Sequence, residues 1–269
     1  MEIIPSTTEC SKLVPGDSTV CTSCKVVKKI KDELNITADN DIKIIQDAKK
    51  ILKCDNESCV LKTLECKLGA NIVRDEFEKR FLPEGPKNTD DLLSNIDIDM
   101  TLRQWSLVHK NFFPFPFAMI DFASYGHPIA TIDIEQMRRD KISCFAVVIN
   151  TDIMSGPGKH WVAIFGDMRG LDEWTLEFFN SSGNSPGFEI VDWMSKTAMK
   201  MAIVAQPDIL KVKYFQTGEL RHQQSKTECG VYSLYYIYSR ICGIPYSYFA
   251  TTRIKDVDMY KFRKELFRV

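Results

Sequence analysis

The distribution of aromatic residues divides this chain of 269 residues into two parts. All four tryptophans and all nine tyrosines follow residue 83, and the part before it holds only two phenylalanines, Phe77 and Phe81. Two prolines and a glycine stand within residues 82–88, a pattern that interrupts helices and strands. The sequence therefore predicts a small N-terminal helical domain over residues 1–83 and a larger domain over residues 84–269.

The composition is typical of a globular protein in a reducing compartment. Hydrophobic residues make up 44% and charged residues 26% of the chain, which excludes a disordered or fibrous protein. The formal net charge of -1 argues against a surface that binds polyanions over its whole extent. No apolar run approaches the roughly 18 residues that a membrane span needs, and the N-terminus lacks a secretion signal. We therefore expect the nine cysteines to be free thiols.

The pattern of apolar residues predicts an α+β fold for the larger domain. Stretches typical of strands cover residues 145–150, 160–167, 174–180 and 210–216. Helical spacing covers residues 188–204, 230–241 and 257–267, and in the N-terminal domain residues 36–52, 58–68 and 71–81. Strands clustered in the centre of a domain with helices around them indicate a layered α+β arrangement.

Cys229 is the strongest candidate for a reactive group. A polar loop over residues 223–228 leads into it, and an apolar helical pattern begins at Gly230. This places Cys229 at a helix N-terminus, where unpaired backbone N–H groups and the positive end of the helix dipole favour a thiolate. With a cationic neighbour, such a position lowers a thiol pKa from about 8.5 to roughly 3.5–7.5. The alternative is a buried and inert cysteine, which is the commoner fate of any one cysteine.

A thiolate nucleophile needs a base, and His160 is the best placed of the four histidines. It stands between a glycine-rich turn and a predicted strand, where a side chain is held rigidly and stays accessible. Asn180 ends the next predicted strand. If the two strands pair, the Asn180 carbonyl can accept the Nδ1–H of the imidazole and leave Nε2 for the sulfur, as Cys, His and Asn cooperate in papain-like proteases. Taken singly, His160 also suits a strand end and Asn180 a turn.

Four N-terminal cysteines raise a second hypothesis, a structural zinc site. Cys21 and Cys24 have the spacing of zinc ligands, and Cys54 and Cys59 could complete a set of four. Strong zinc signals repeat a spacing of two residues between cysteines, whereas four residues separate the second pair. We therefore expect free thiols in the helical domain, no metal site and no cofactor.

The linear order of the candidate residues resembles that of a peptidase superfamily. His160, Asn180, Gln223 and Cys229 follow one another as in the SUMO-protease and adenovirus-protease superfamily of cysteine peptidases, with HW at the histidine and ECG at the cysteine. The stretches GKHWVAIFGDMRG, EFFNSSGNSP, RHQQSKTECG and DMYKFRKELFR are similar, more narrowly, to polyprotein-processing proteases of the African swine fever virus type. The similarity covers most of residues 84–269 and extends more thinly into the N-terminal part, through CDNESCV and FLPEGPKN.

The resemblance implies a fold and a set of roles. The fold is a SUMO-protease-like core with a central mixed sheet flanked by helices. Cys229 is the nucleophile, His160 the general base and then the general acid, and Asn180 orients the imidazole. Gln223, six residues before the cysteine, supplies an oxyanion-hole N–H, and Gln224 is the reserve candidate. Loss of one such donor typically lowers turnover about 10²–10³-fold.

The resemblance also implies a substrate and a location. In relatives, the tryptophan after the histidine narrows the cleft so that only glycines pass before the scissile bond, and Trp161 matches that position. Core packing is the ordinary alternative for Trp161. The implied reaction is cleavage of viral structural polyproteins at Gly-Gly-X sites through a thioester, in a large DNA virus related to African swine fever virus. The implied locations are virus factories in the host cytoplasm and the virion interior.

Three other functions stay open on the sequence alone. An isopeptidase that acts on SUMO or another ubiquitin-like protein would use the same scaffold, because such tails also end in Gly-Gly. A Cys-dependent acyltransferase would pass its acyl group to an amine instead of water. A non-enzymatic module would use residues 1–83 to dock on a core-shell or scaffold protein.

Two further features favour ordinary structural interpretations. The aromatic run over residues 111–117 suits core packing at the domain edge better than a partner site. Residues 240–269 hold seven Lys or Arg against three Asp or Glu, an excess of four. We favour a solvated helix face over a surface for nucleoprotein or an acidic scaffold, which leaves nucleic-acid binding an open question.

Overall fold

A computed structural model of the chain describes residues 9–11, 20–86, 88, 91–205, 211–216 and 220–268. The chain divides into two compact units, one of Met1–Gly85 with Lys264–Val269 and one of Pro86–Arg263. The domains predicted from the sequence, 1–83 and 84–269, stay a prediction, and the last six residues group here with the first unit. No helix within the described ranges is both long and apolar enough to cross a membrane.

The N-terminal unit is helical, as the sequence predicts. Its described residues form α1 (Cys24–Leu34), α2 (Asp41–Leu52), α3 (Glu57–Thr63), α4 (Glu65–Leu68) and α5 (Ala70–Arg80). Asn40 and Asn56 cap α2 and α3, because their side-chain oxygens accept backbone N–H groups of the first turns. The Asn40 cap explains why α2 begins five residues later than the apolar spacing predicts. Fully buried aliphatic residues form the core of this unit, among them Val27, Ile30, Ala48, Val60 and Leu61.

Two disulfides show that the expectation of free thiols was wrong for four of the N-terminal cysteines. Cys10 is bonded to Cys21, and Cys54 is bonded to Cys59. The expectation rested on the absence of a secretion signal, but the fold brings the Cα atoms of the two pairs to 4.9 and 5.6 Å, within disulfide range. Cys21 and Cys54 belong to different disulfides, so the four-cysteine zinc set does not form. The other two N-terminal cysteines are free.

The second unit is built on a mixed sheet, as predicted. Its strands are β1 (Phe112–Pro114), β2 (Ala118–Met119), β3 (Cys144–Asn150), β4 (Trp161–Asp167), β5 (Glu173–Phe179) and β6 (Lys211–Gln216). The order is β1-β3-β4-β5-β6, and β2 pairs with the far end of β3. Neighbours β3, β4 and β5 are antiparallel, whereas β1 and β2 are parallel to β3 and β6 is parallel to β5. The four longer strands match the predicted ones to within one residue; residue 210 lies outside the described residues.

Helices flank this sheet and confirm the α+β class. They are α6 (Asn95–Val108), α7 (Ile134–Arg139), α8 (Phe188–Val204), α9 (Cys229–Ile241), α10 (Tyr246–Thr251) and α11 (Asp256–Leu266). Every residue of β3 is buried, which is typical of a central strand covered on both faces. Helix α9 packs against β4, and α8 packs against β5 and β6. In the aromatic run before β3, Phe112 and Phe115 are buried and serve packing, whereas Phe113 is 41% exposed.

A buried charged cluster joins α9 to the sheet. Glu177 of β5 is fully buried and accepts hydrogen bonds from Arg240 Nε at 2.7 Å and Arg240 Nη2 at 2.8 Å. Arg240 also pairs with Asp167 at 3.0 Å, and the Tyr236 hydroxyl donates to Glu177. Both Arg240 and Arg263 are buried, so the C-terminal basic excess is not simply a solvated helix face.

Candidate active site

Cys229 lies where the sequence predicts it, at the first residue of α9. The polar loop before it ends at Glu228, and the apolar helix residues after it pack against β4. Cys229 is only 3% exposed, yet it lines a cleft of about 460 Å³ that opens at this end of the sheet. The sulfur is therefore sheltered from bulk water and accessible from the cleft.

The environment of the Cys229 thiol corrects one sequence-based expectation. The helix terminus was expected to lower the thiol pKa, but burial raises it above the ordinary 9.0, and the Glu228 carboxylate adds to the increase. The backbone N–H groups of Trp161 and Gly230 oppose this effect without reversing it. The expectation failed because it counted the helix end and left out the removal of the sulfur from water. The resting site therefore favours the neutral thiol.

The β4–β5 pairing brings His160 and Asn180 together. These strands are antiparallel with Ala163 opposite Phe179. His160, just before β4, and Asn180, just after β5, therefore meet at the same end of the strand pair. The His160 Nε2 and Asn180 Oδ1 atoms are 2.8 Å apart. Burial lowers the pKa of His160 below its usual 6.5, and the hydrogen bond to Asn180 only partly offsets this effect. The imidazole is therefore neutral at physiological pH.

The nitrogen that contacts Asn180 is not the predicted one. The sequence predicts Nδ1 at the amide, whereas the structure has Nε2 there. Since Asn180 Oδ1 can only accept, Nε2 carries the hydrogen and Nδ1 carries the lone pair. Asn180 is itself fixed, because Ser182 donates to Oδ1 from both its N–H and its hydroxyl, and Asn180 Nδ2 donates to the Asn184 carbonyl at 3.0 Å.

Two residues that the sequence analysis did not single out, Asn150 and Asp152, shape the loop that carries His160. Asn150 Oδ1 accepts the N–H groups of Asp152 at 3.0 Å and Lys159 at 2.9 Å. Asp152 accepts the N–H of Gly158 at 3.1 Å and pairs with the Lys159 ammonium at 2.9 Å. Gly158 has φ +92°, a conformation that glycine adopts without strain. The available signal for this role was a polar residue at the end of an otherwise apolar strand, followed two residues later by an aspartate.

Trp161 forms part of the cleft wall. It is 8% exposed, its indole Nε1–H donates to the Leu93 carbonyl at 3.0 Å, and its ring meets Phe117 edge to face. Leu93, Phe117 and Trp161 line the cleft together with His160 and Cys229. Trp161 is therefore both packed and a lining residue of the cleft beside Cys229, and its role in selecting glycine stays a prediction.

The two glutamines before Cys229 differ sharply in environment. Gln223 is buried, and its Oε1 accepts the Ser181 hydroxyl at 2.7 Å while its Nε2 donates to the Ser225 carbonyl at 3.0 Å. The backbone N–H of Gln223 donates to the Ser181 carbonyl, which ties it to the loop after Asn180. Gln224 has an exposed side chain. Gln223 is therefore the glutamine with a fixed carboxamide.

The arrangement suits nucleophilic catalysis. Among the described residues, no group of three or more His, Cys, Asp or Glu is placed to hold a metal ion. Cys229 and His160 line one cleft, and Asn180 holds the imidazole from behind. A thiol, a neutral imidazole and an orienting carboxamide are the groups that acyl transfer through a covalent intermediate requires.

Comparison with known proteins agrees with this chemistry. Residues 135–268 match the Ulp1 protease family, C-terminal catalytic domain. A cysteine protease of African swine fever virus is 36% identical over 286 aligned residues, covering 100% of this chain and 98% of the relative. A SUMO-1 cysteine protease from a Kenyan isolate of the same virus has the same identity and coverage.

A solved structure extends the similarity to three dimensions. The crystal structure of the African swine fever virus protease superposes with a TM-score of 0.81 at 36% sequence identity, over 99% of this chain and 98% of that one. A full-length match at this level fixes the fold and the reaction class together. The chain belongs to the Ulp1 protease family and is a cysteine protease of the African swine fever virus type.

Proposed function

We propose that this protease cleaves polyproteins on the carboxyl side of Gly-Gly, with Cys229 as nucleophile, His160 as base and Asn180 as orienter. The observation that carries the proposal is the cleft in which the Cys229 thiol and His160 lie together, with Asn180 Oδ1 2.8 Å from His160 Nε2. The full-length relatives are a cysteine protease and a SUMO-1 cysteine protease, which supports a protein substrate.

The protonation states of Cys229 and His160 indicate the order of the reaction steps. The raised pKa of Cys229 and the lowered pKa of His160 both favour a neutral pair in the resting enzyme. His160 Nδ1 takes the thiol proton as the sulfur attacks the carbonyl carbon. The resulting imidazolium gives that proton to the amine of the leaving peptide, and the C–N bond breaks to leave a thioester on Cys229. Water, deprotonated by His160, then hydrolyses the thioester and restores the thiol.

Gln223 is the proposed donor to the developing oxyanion. Ser181 and Ser225 fix its carboxamide. One Nε2 hydrogen is donated to the Ser225 carbonyl, and the second, held in place by these contacts, is the proposed donor when negative charge forms. The backbone N–H of Cys229, at the first position of α9, is the second proposed donor. Gln224 stays the reserve candidate, and its exposed side chain argues against the role.

The fixed position of Trp161 in the cleft wall supports specificity for glycine. Trp161 is held by its hydrogen bond to Leu93 and by its contact with Phe117, so its ring cannot easily move aside. A slot bounded by such a fixed ring selects glycine by excluding any Cβ. The proposed substrates are viral structural polyproteins with Gly-Gly-X sites, and core-shell or scaffold proteins are candidate partners of the N-terminal unit. The proposed locations are virus factories in the host cytoplasm and the virion interior.

Digestion of candidate polyproteins tests this proposal. Wild type and Cys229→Ser are incubated with each precursor, and mass spectrometry identifies the new termini. We expect fragments that end in Gly-Gly with the wild type and none with Cys229→Ser. Cleavage at unrelated sequences, or equal cleavage by both proteins, would overturn the proposal.

Removal of SUMO or another ubiquitin-like protein is the second candidate function. The match to the Ulp1 family and the relative called a SUMO-1 cysteine protease favour it. A panel of ubiquitin-like precursors and isopeptide conjugates, run beside a Gly-Gly-X linker peptide, separates the two. Processing of the linker peptide with little release from the conjugates supports the polyprotein assignment, and the opposite ranking supports the isopeptidase.

A further inference from the structure

Glu228 and Arg263 form a buried ion pair directly beside the nucleophile. Glu228 precedes Cys229 in the chain and has a fully buried side chain; Arg263 belongs to α11, and its side chain is 6% exposed. Two hydrogen bonds join them, from Arg263 Nη2 to Glu228 Oε1 at 2.9 Å and from Arg263 Nε to Glu228 Oε2 at 3.2 Å. This two-point geometry fixes the orientation of both side chains as well as their distance.

Arg263 also holds one wall of the cleft. Its Nη1 donates to the carbonyl oxygen of Asp91 at 2.8 Å. Two residues further on, Leu93 lines the cleft, and its carbonyl accepts the Trp161 indole. Leu93 packs so closely on Gly230 that a Cβ at position 230 would lie 3.0 Å from Leu93 Cβ. One guanidinium therefore connects the residue before the nucleophile with the segment that forms the wall.

We propose that Arg263 is a positioning residue for the reaction: through Glu228 and Asp91 it sets the position of the Cys229 thiol relative to the cleft wall and neutralises the carboxylate next to that thiol. This inference rests on the proposed function. A buried ion pair contributes little net stability, because the cost of desolvation offsets the attraction between the charges. The geometry and charge balance that the pair imposes on Cys229 give it a role at this place in the fold.

The charges around the thiol give the proposal a measurable signature. Glu228, at the N-terminal end of α9, raises the pKa of Cys229. Arg263 pairs with Glu228 and carries the opposite charge. His160 and Lys159 of the β3–β4 loop line the cleft on the other side. Removal of the Arg263 charge leaves Glu228 uncompensated, so the thiol pKa rises further. Each increase of one in that pKa lowers the thiolate fraction at neutral pH about tenfold.

The test is the rate at which iodoacetamide alkylates Cys229 across the pH range, in the full-length protein. Mass spectrometry of the peptide that contains Cys229 separates it from the exposed free cysteines. We expect Arg263→Gln to move the rate profile to higher pH, with alkylation about tenfold slower near neutral pH. The double variant Glu228→Gln/Arg263→Gln is expected to return the profile to the wild-type position or to a lower pH, because the carboxylate that raises the thiol pKa is then absent.

Arg240→Gln is the matched control, since it breaks the other buried Arg–Glu pair of the unit at the far end of α9. It is expected to lower the melting temperature without moving the Cys229 profile. The proposal is overturned if the folded Arg263→Gln protein keeps the wild-type profile, or if Arg240→Gln moves it equally. If Arg263→Gln does not fold, Arg263→Lys is tested instead, because lysine keeps the charge but not the two-point contact with Glu228. A wild-type alkylation profile with a lower kcat supports the proposal, and an unchanged kcat contradicts it.

Two independent readouts keep this inference separate from the proposed function. Alkylation needs no peptide substrate, so failure to cleave every Gly-Gly peptide overturns the proposed specificity and leaves the alkylation result standing. Conversely, normal Gly-Gly cleavage with an unshifted Arg263→Gln profile supports the specificity and overturns the role of Arg263.

Discussion

Replacement of Asn180 by aspartate is expected to move the acid limb of the activity profile to higher pH. In the wild type, His160 donates to Asn180 Oδ1 at 2.8 Å, and burial lowers the imidazole pKa below 6.5. The neutral imidazole is the proposed base, so activity falls only when the pH drops below 6.5 and through that lowered pKa. A carboxylate at position 180 stabilises the imidazolium, which raises the pKa of His160 and shifts the limb upward.

The geometry sets the size of the shift. Two unit charges about 4 Å apart attract by ~4 kcal/mol at an effective dielectric constant of about 20. That energy corresponds to an increase of at most about 3 in the pKa of His160. Position 180 is only 4% exposed, and aspartate also loses the hydrogen bond that Asn180 Nδ2 donates to the Asn184 carbonyl. Both effects oppose ionisation of the new carboxyl group, so we expect the limb to rise by about one to two pH units.

The assay is kcat/KM for a Gly-Gly-X peptide as a function of pH. Asn184→Asp is the matched control, because it places the same charge on the exposed loop while its backbone carbonyl stays available to Asn180. The reasoning is refuted if the acid limb of Asn180→Asp stays in place or moves to lower pH. An equal shift in Asn184→Asp would show that the charge acts without the His160 contact.

Three further predictions concern stability and positioning. His222 is fully buried, and burial lowers its pKa to about 4. The free energy of unfolding is therefore at its full value above the ordinary pKa of 6.5 and declines by at most ~3 kcal/mol as the pH falls from 6.5 toward 4. Urea unfolding at both ends of this range should show a weaker pH dependence for His222→Gln than for the wild type. Replacement of Cys10 and Cys21 by serine removes a cross-link with a sequence separation of 11 and is expected to lower the unfolding free energy by ~2–3 kcal/mol. An unchanged denaturation midpoint would contradict a stabilising role of this disulfide. Asn150→Ala removes the acceptor of two backbone N–H groups in the loop before His160 and should lower kcat about tenfold or more. The melting temperature should fall as well, because Asn150 is buried and its N–H partners lose their acceptor. An unchanged kcat in the folded variant would contradict the positioning role.

The sequence carries enough information to predict the four longer strands and the placement of the candidate site residues at their ends. Uninterrupted apolar runs such as 145–150 leave few alternatives to a buried strand, and the described strand covers Cys144–Asn150. Pairing of the next two strands is a short-range event, so the meeting of His160 and Asn180 follows from the chain order. The start of α9 at Cys229 follows from the change from polar to apolar residues at that point.

Tertiary packing accounts for what the sequence did not predict. The two disulfides join cysteines only 11 and 5 residues apart, but they depend on how the loops and helix ends that carry these cysteines fold back, which residue spacing does not encode. The raised pKa of Cys229 follows from burial of its side chain, which is only 3% exposed in the folded chain and which no local pattern reveals. The short strand Phe112–Pro114 has too few residues for an alternating pattern, and it forms because β3 is available beside it. The pairing of Glu228 with Arg263 joins residues 35 apart in sequence and has no local signal.

Labelling by a peptide that ends in Gly-Gly-vinyl sulfone tests the central claim most directly, since at low reagent concentration this electrophile reacts fastest with an activated thiol that binds the Gly-Gly peptide. Intact-mass analysis and peptide mapping would locate the adduct in wild type, His160→Ala and Cys229→Ala. We predict one adduct per chain, on Cys229, that forms much more slowly in His160→Ala and is absent in Cys229→Ala. An adduct on another cysteine, or labelling of Cys229 at the same rate without the imidazole, would contradict the account.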